Sequence, residues 1–135
     1  MLIVVDPHSG VPVYRQLMEQ IKFHVASGLL APGDELPSTR ALSAELGVNP
    51  MTISKAYSYL EREDVIERRP GRPLVVKALG EDGLQDRRAD ELRKSLAATV
   101  RKVRQLEIGT DEALETFRDM LESDTAERDE EEETT

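Results

Sequence analysis

Between Pro37 and Leu60 the chain runs PSTRALSAELGVNPMTISKAYSYL, and its caps and apolar spacings fit two short helices joined by a tight turn. Ser38 follows a proline and is placed to cap the first helix, its hydroxyl accepting from an unpaired backbone N–H. Leu42 and Leu46 stand four apart on one face, and Gly47 follows as a residue free to turn left-handed. Asn49 and Pro50 restart the helix: a good cap, then a residue whose missing N–H costs nothing at the first helical position. Ile53, Ala56, Tyr57 and Leu60 form the inner stripe of the second helix.

That stripe leaves Asn49, Met51, Thr52, Ser54 and Lys55 outside: small, polar or basic positions with no carboxylate among them. Such a face fits a helix-turn-helix whose second helix enters a DNA major groove. The plainer reading is a solvated surface, because helix-turn-helix pieces also occur in folds that touch no nucleic acid.

The flanking sequence adds weight to the first reading. Leu2 to Val5 is a β-like run that breaks at Asp6-Pro7 and Ser9-Gly10, giving a short strand or extended arm. Pro12 opens a helix in which Tyr14, Leu17, Met18, Ile21 and Val25 share a face, and Gly28 ends it. His24 falls on its flank, at the surface or half-buried. A breaker-rich turn follows, Leu29 to Asp34, and Leu36 drops into the core. After the helix pair, Val65 to Arg69 and Leu74 to Val76 flank Pro70-Gly71-Arg72-Pro73, the pattern of a β-hairpin. Arg68, Arg69 and Arg72 cluster at its tip against the single carboxylate of Glu67, and a protruding loop of this kind can reach phosphates or a minor groove. Charge at an exposed tip also serves solubility alone. Directly after a helix-turn-helix, the hairpin has the place of a wing.

With the wing in place, the run from Pro12 to Val76 resembles the N-terminal domain of GntR-type bacterial transcription regulators. The resemblance rests on P-V-Y-R-Q-L, then G-L-L-A-P-G-D-E-L-P-S-T-R, L-G-V-N-P-M-T-I, K-A-Y-S-Y-L-E-R-E and the glycine–arginine hairpin, in that order and spacing. The N-P-x-T-x-x-K-A-Y form with a short C-terminal part is similar to the YtrA subfamily. The resemblance implies a DNA-binding set of Ser38, Arg40, Asn49, Pro50, Thr52, Ser54, Lys55, Arg69, Gly71 and Arg72. Arg40 would meet a phosphate or guanine, Asn49, Pro50 and Thr52 would lie against base edges or backbone, and Lys55 would take phosphate. Gly71 and Arg72 would place the wing tip in the minor groove. Two departures stand out: many members carry arginine where Ser54 stands, and the usual G-R-G of the wing is G-R-P here.

Charge divides the chain. Its formal net charge is −9, yet residues 1–79 hold nine basic and nine acidic side chains while residues 80–135 hold nine and 18. The first part must therefore meet DNA through a local patch. In the second part Ala89, Leu92, Leu96, Thr99, Val103 and Leu106 follow alternating steps of three and four, a heptad-like seam. Gly109 stops that helix, Thr110 recaps another, and Leu114, Phe117 and Leu121 give the second its apolar face. Two such helices, antiparallel across a short turn, have too little core to stand alone. Their seam covers either the winged helix or a second copy, and a symmetric dimer suits a palindromic site. Residues 123–135 are acidic and aperiodic, which predicts a disordered tail. The tail could compete with DNA for the wing or simply solubilise the chain.

The expected architecture is mainly α with a small β-hairpin wing: a winged helix-turn-helix over 1–79, a helical dimerisation or short effector region over 80–122, and the tail. There is no cysteine, which excludes disulfide and thiolate chemistry. The two histidines flank different elements, and no phosphate loop, metal motif or nucleophile elbow appears, so no enzyme, metal or cofactor is expected. Leu2 to Val5 is too short for a leader or a membrane span, which predicts a cytoplasmic protein, and the resemblance implies a bacterial one. The leading expectation is a homodimeric, sequence-specific regulator of transcription, a repressor bound to a near-palindromic operator. The resemblance implies targets in its own operon, often encoding an ABC transporter, and an effector the sequence does not name. The alternative is a winged-helix adaptor that binds another protein, which the neutral first part favours.

Overall fold

The computed structural model describes residues 2–134, and these contain five helices and one two-stranded sheet. The helices are α1 (Val13–Ser27), α2 (Thr39–Leu46), α3 (Pro50–Arg62), α4 (Glu81–Gln105) and α5 (Thr110–Glu133). The strands are β1 (Ile66–Glu67) and β2 (Val75–Val76), antiparallel with Ile66 opposite Val76. The chain divides into two compact units after Glu91.

In the first unit α1 and α2 both pack on α3. Leu17 and Ile21 of α1, Leu42 of α2 and Ile53, Ala56, Tyr57 and Leu60 of α3 close a core completed by Leu36, Val65, Ile66 and Val76. Each large aliphatic side chain buried this way contributes about 1.5–3 kcal/mol. Both caps of the pair form as the sequence predicts. The Ser38 hydroxyl accepts from the Ala41 N–H at 3.0 Å, and Asn49 Oδ1 accepts from the Met51 N–H at 2.9 Å. Gly47 turns left-handed at φ 66°. The wing is braced on a second side, because residues 33–36 run against β2: Leu36 N–H donates to the Leu74 carbonyl and Val76 N–H to Asp34, at 2.8 and 2.9 Å.

Residues 2–6 form an extended arm rather than a strand, and three side chains of α1 hold it. Gln20 both accepts from and donates to the backbone of Val4 (2.9 and 2.6 Å), and Gln16 does the same to Asp6 (2.9 and 2.8 Å). His24 Nε2 lies 2.9 Å from the Leu2 carbonyl. One helical turn advances about 5.4 Å and two extended residues about 6.6 Å, so side chains four apart on a helix meet alternate residues of the arm. The alternate register drives Ile3 into the core.

The first unit runs past the boundary expected near residue 79. Arg87 donates to the carbonyls of Glu63 and Asp64 (3.3 and 2.9 Å), and Arg88 Nε to that of Ala26 (3.2 Å). Adjacent arginines of α4 thus occupy the C-terminal ends of α3 and α1, where carbonyls lack intrahelical partners and carry the negative end of the dipole. Burial pushes the Arg87 guanidinium below its ordinary pKa, opposed by the nearby Glu63 and Asp64 carboxylates.

The second unit corrects three expectations. Glu107, not Gly109, makes the left-handed turn ending α4, at φ 56°, and Ile108 N–H returns to the Val103 carbonyl. Gly109 is the extended residue before α5, and Thr110 is its first helical residue. The two helices do not close on each other as an antiparallel hairpin. Leu96 and, beside the turn, Val103, Ile108 and Ala113 gain partial cover, while Leu92, Leu106, Leu114, Phe117, Met120 and Leu121 are exposed. Finally, residues 123–133 of the acidic run are helical, continuing α5 to Glu133. Glutamate is a good helix former, and Arg128 pairs with Asp124 one turn back at 3.3 Å. These outweigh the acids at the unfavourable end of the helix dipole.

Candidate nucleic-acid interface

The core contacts of α3 decide what its other side offers. With Ile53, Ala56, Tyr57 and Leu60 facing inward, the positions between them, Met51, Ser54, Lys55, Ser58, Tyr59 and Arg62, are all exposed and none is acidic. Tyr57 fixes the helix against the chain leading into α2, its hydroxyl donating to the Pro37 carbonyl at 2.8 Å. Burial, then the Glu45 carboxylate, pushes the Tyr57 phenol up to about 12.

The predicted site residues separate by what already occupies them. Ser38 and Asn49 hold backbone amides with their oxygens, leaving the Ser38 hydroxyl proton and the Asn49 amide nitrogen to donate outward. Pro50 opens α3, Ser54 is exposed and Thr52 is half-buried. Arg40 stands exposed at the start of α2.

Sorting the nine cations of residues 1–79 by partner resolves their net neutrality. Lys22 pairs with Glu63, Arg68 with Glu61 at 3.9 Å, Arg69 with Glu67 at 2.9 Å and Lys77 with Asp64 at 3.1 Å. Among the described residues Arg15, Arg40, Lys55, Arg62 and Arg72 make no ion pair. Three of those five belong to the helix pair and one to the wing, while the pairing acids Glu61, Glu63, Asp64 and Glu67 lie between the last turn of α3 and β1.

An aromatic column not foreseen in the sequence organises two of these cations. Tyr14 of α1 and Tyr59 of α3 stack with centroids 5.6 Å apart; Lys55 Nζ sits 4.1 Å from the Tyr14 ring and Arg62 5.6 Å from the Tyr59 ring. Cation–π attraction at exposed sites is worth about 0.5–1 kcal/mol. It holds both side chains along α3 without a carboxylate, so their charge stays uncompensated.

The wing tip is a turn from Arg69 to Arg72, closed by Arg72 N–H to the Arg69 carbonyl at 3.1 Å. Pro70 and Gly71 fill its central positions, and Gly71 has φ 69°, the left-handed value a type II turn requires there. The three tip arginines are not equivalent. Arg69 folds back onto Glu67 through Nε and Nη2, Arg68 leans toward Glu61, and Arg72 alone is uncommitted.

A helix pair with a carboxylate-free outer face, cations at both ends of that face and an arginine-tipped hairpin beside it define a winged helix-turn-helix of the DNA-reading type. Comparison with known proteins gives the family. Residues 13–76 match the model of bacterial regulatory proteins of the gntR family, and the chain belongs to that family, among its YtrA-type members. It is 44% identical over 75 residues to the HTH-type transcriptional repressor YtrA of Bacillus subtilis, covering 56% of this chain and 58% of that one. The chain therefore spans less than two thirds of that relative. It is 34% identical over 108 residues to the HTH-type regulator YhcF of the same organism, covering 79% and 88%. A solved GntR-family transcription factor, YtrA of Sulfolobus acidocaldarius, superimposes with TM-score 0.55 at 33% identity over 90% of this chain and 97% of that one.

Proposed function

We propose that the chain is a sequence-specific transcription repressor of the bacterial cytoplasm that occupies a near-palindromic operator as a homodimer and catalyses nothing. One observation carries this reading: Arg40, Lys55, Arg62 and Arg72, the uncompensated cations of the helix pair and wing, flank a recognition face without a carboxylate. Phosphates bind the cations, and the first turns of α3 meet base edges. The names of relatives support the repressor assignment. The neutral balance that favours an adaptor is an average over separated patches.

Dimerisation rests on the second unit. The predicted contact residues Leu92, Leu96, Thr99, Val103, Leu106, Leu114, Phe117 and Leu121, joined by Val100 and Met120, present apolar surface that their own chain leaves largely uncovered. A matching seam on a second copy supplies the missing partner and gives the two-fold symmetry of a palindrome. Gel shift with the upstream DNA of its own gene should show saturable binding, weakening with salt by about 0.9 log unit per log unit of salt for each phosphate contacted. Arg40→Ala should cost about 1–3 kcal/mol of specific binding. Unchanged affinity in that variant would move the interface elsewhere.

A further inference from the structure

The recognition face is poor in groups that read purines. Arginine or lysine to guanine and asparagine or glutamine to adenine are the usual bidentate pairings. At the N-cap and in the first two turns of α3 only Asn49 and Lys55 qualify. Asn49 Oδ1 already accepts from the Met51 N–H, and the Lys55 ammonium is drawn over the Tyr14 ring. Ser54 and Thr52 carry short hydroxyls that either base can satisfy. Met51 is of a different kind. It is 78% exposed, the most exposed large apolar side chain among the described residues, and it occupies the second position of α3. An apolar side chain there finds one apolar feature on the floor of the major groove, the C5-methyl of thymine.

We propose that Met51 is a specificity-determining residue that packs on a thymine methyl in each half-site, so that this protein selects thymine by apolar contact where an amide or guanidinium would select a purine. The inference rests on the DNA-binding reading above and adds the chemistry of one contact. The flexible, unbranched thioether suits it, because it can follow the methyl without strain.

The test uses the full chain and duplexes carrying the site recovered by selection from random DNA, with each thymine replaced in turn by uracil, which differs only in lacking the methyl. One thymine per half-site should lose about four-fold in affinity on replacement, the ratio expected for burying a single methyl-sized group. Met51→Gln keeps the length and removes the apolar end; it should weaken binding to the thymine duplex and respond to no replacement, whereas Met51→Leu should keep the discrimination. If the parent binds the selected site but no replacement matters, or Met51→Gln shows the same penalty, the methyl contact is wrong and the DNA-binding reading survives. If the parent shows no saturable binding to any selected duplex, both fall together.

Discussion

The two units use the same pattern of apolar residues to opposite effect. In α3 the spacing of Ile53, Ala56, Tyr57 and Leu60 meets α1 and α2 of the same chain, and all four are buried. In α4 and α5 a comparable spacing of Leu92, Leu96, Val103, Leu114, Phe117 and Leu121 leaves none of them fully buried, with only Leu96 and Val103 partly covered. Periodicity therefore reports that a helix has a face. Whether another element of the same chain covers it decides whether that face is core or interface.

Substitutions that remove the same atoms from both units put this contrast at risk. Leu60→Ala should destabilise the first unit by about 2–5 kcal/mol, the cost of an unfilled buried leucine. Leu114→Ala, already 59% exposed, should change thermal stability by about 0.5 kcal/mol or less in dilute protein. At high concentration it should lower self-association in sedimentation runs. Equal losses at all concentrations would mean that the second unit has a core of its own.

A smaller effect separates the units by pH. Tyr57→Phe removes the hydrogen bond to Pro37 and should cost about 0.5–1.5 kcal/mol near neutrality. The Tyr57 pKa is raised from 10.0 to about 12 in the folded chain. Its stabilising share is therefore complete below pH 10 and is lost as pH rises toward 12, because the unfolded chain ionises first. The gap between parent and Tyr57→Phe in denaturant melts should narrow across that window, and a constant gap would contradict the burial argument.

Smaller still, Glu107→Gly should stabilise the end of α4 by about 0.5–1 kcal/mol, since a left-handed residue with a Cβ is strained. Pro70-Gly71 already has its glycine at the left-handed position, so no such gain is available at the wing. A fourth measurement carries no stability change at all. Carbon chemical shifts of residues 123–133 should be helical throughout, and random-coil values there would restore the disordered tail that composition predicts.

Much of the first unit was legible because its signals are local. Ser38, Asn49, Gly28 and Gly47 act on backbone within a few residues of themselves, and the stripes of α1 and α3 follow one period. What escaped the sequence joins residues far apart. Gln16 and Gln20 look like ordinary solvated positions until the arm lies beside them. Tyr14 and Tyr59 are 45 residues apart in sequence and become neighbours only when α1 packs on α3. In the sequence Arg87 and Arg88 are simply two adjacent charges, and only the helix ends beneath them reveal their use. The separation of paired from unpaired cations was invisible for the same reason, since a count of charges carries no geometry.

The seating of Arg87 and Arg88 has a mechanical consequence. Both grip near the root of a helix of 25 residues, which at about 1.5 Å per residue reaches about 37 Å. Hydrogen bonds to three carbonyls thus tie the first turns of α4 to the ends of α1 and α3, so the stretch that follows the wing is stapled in place rather than left as a free tether.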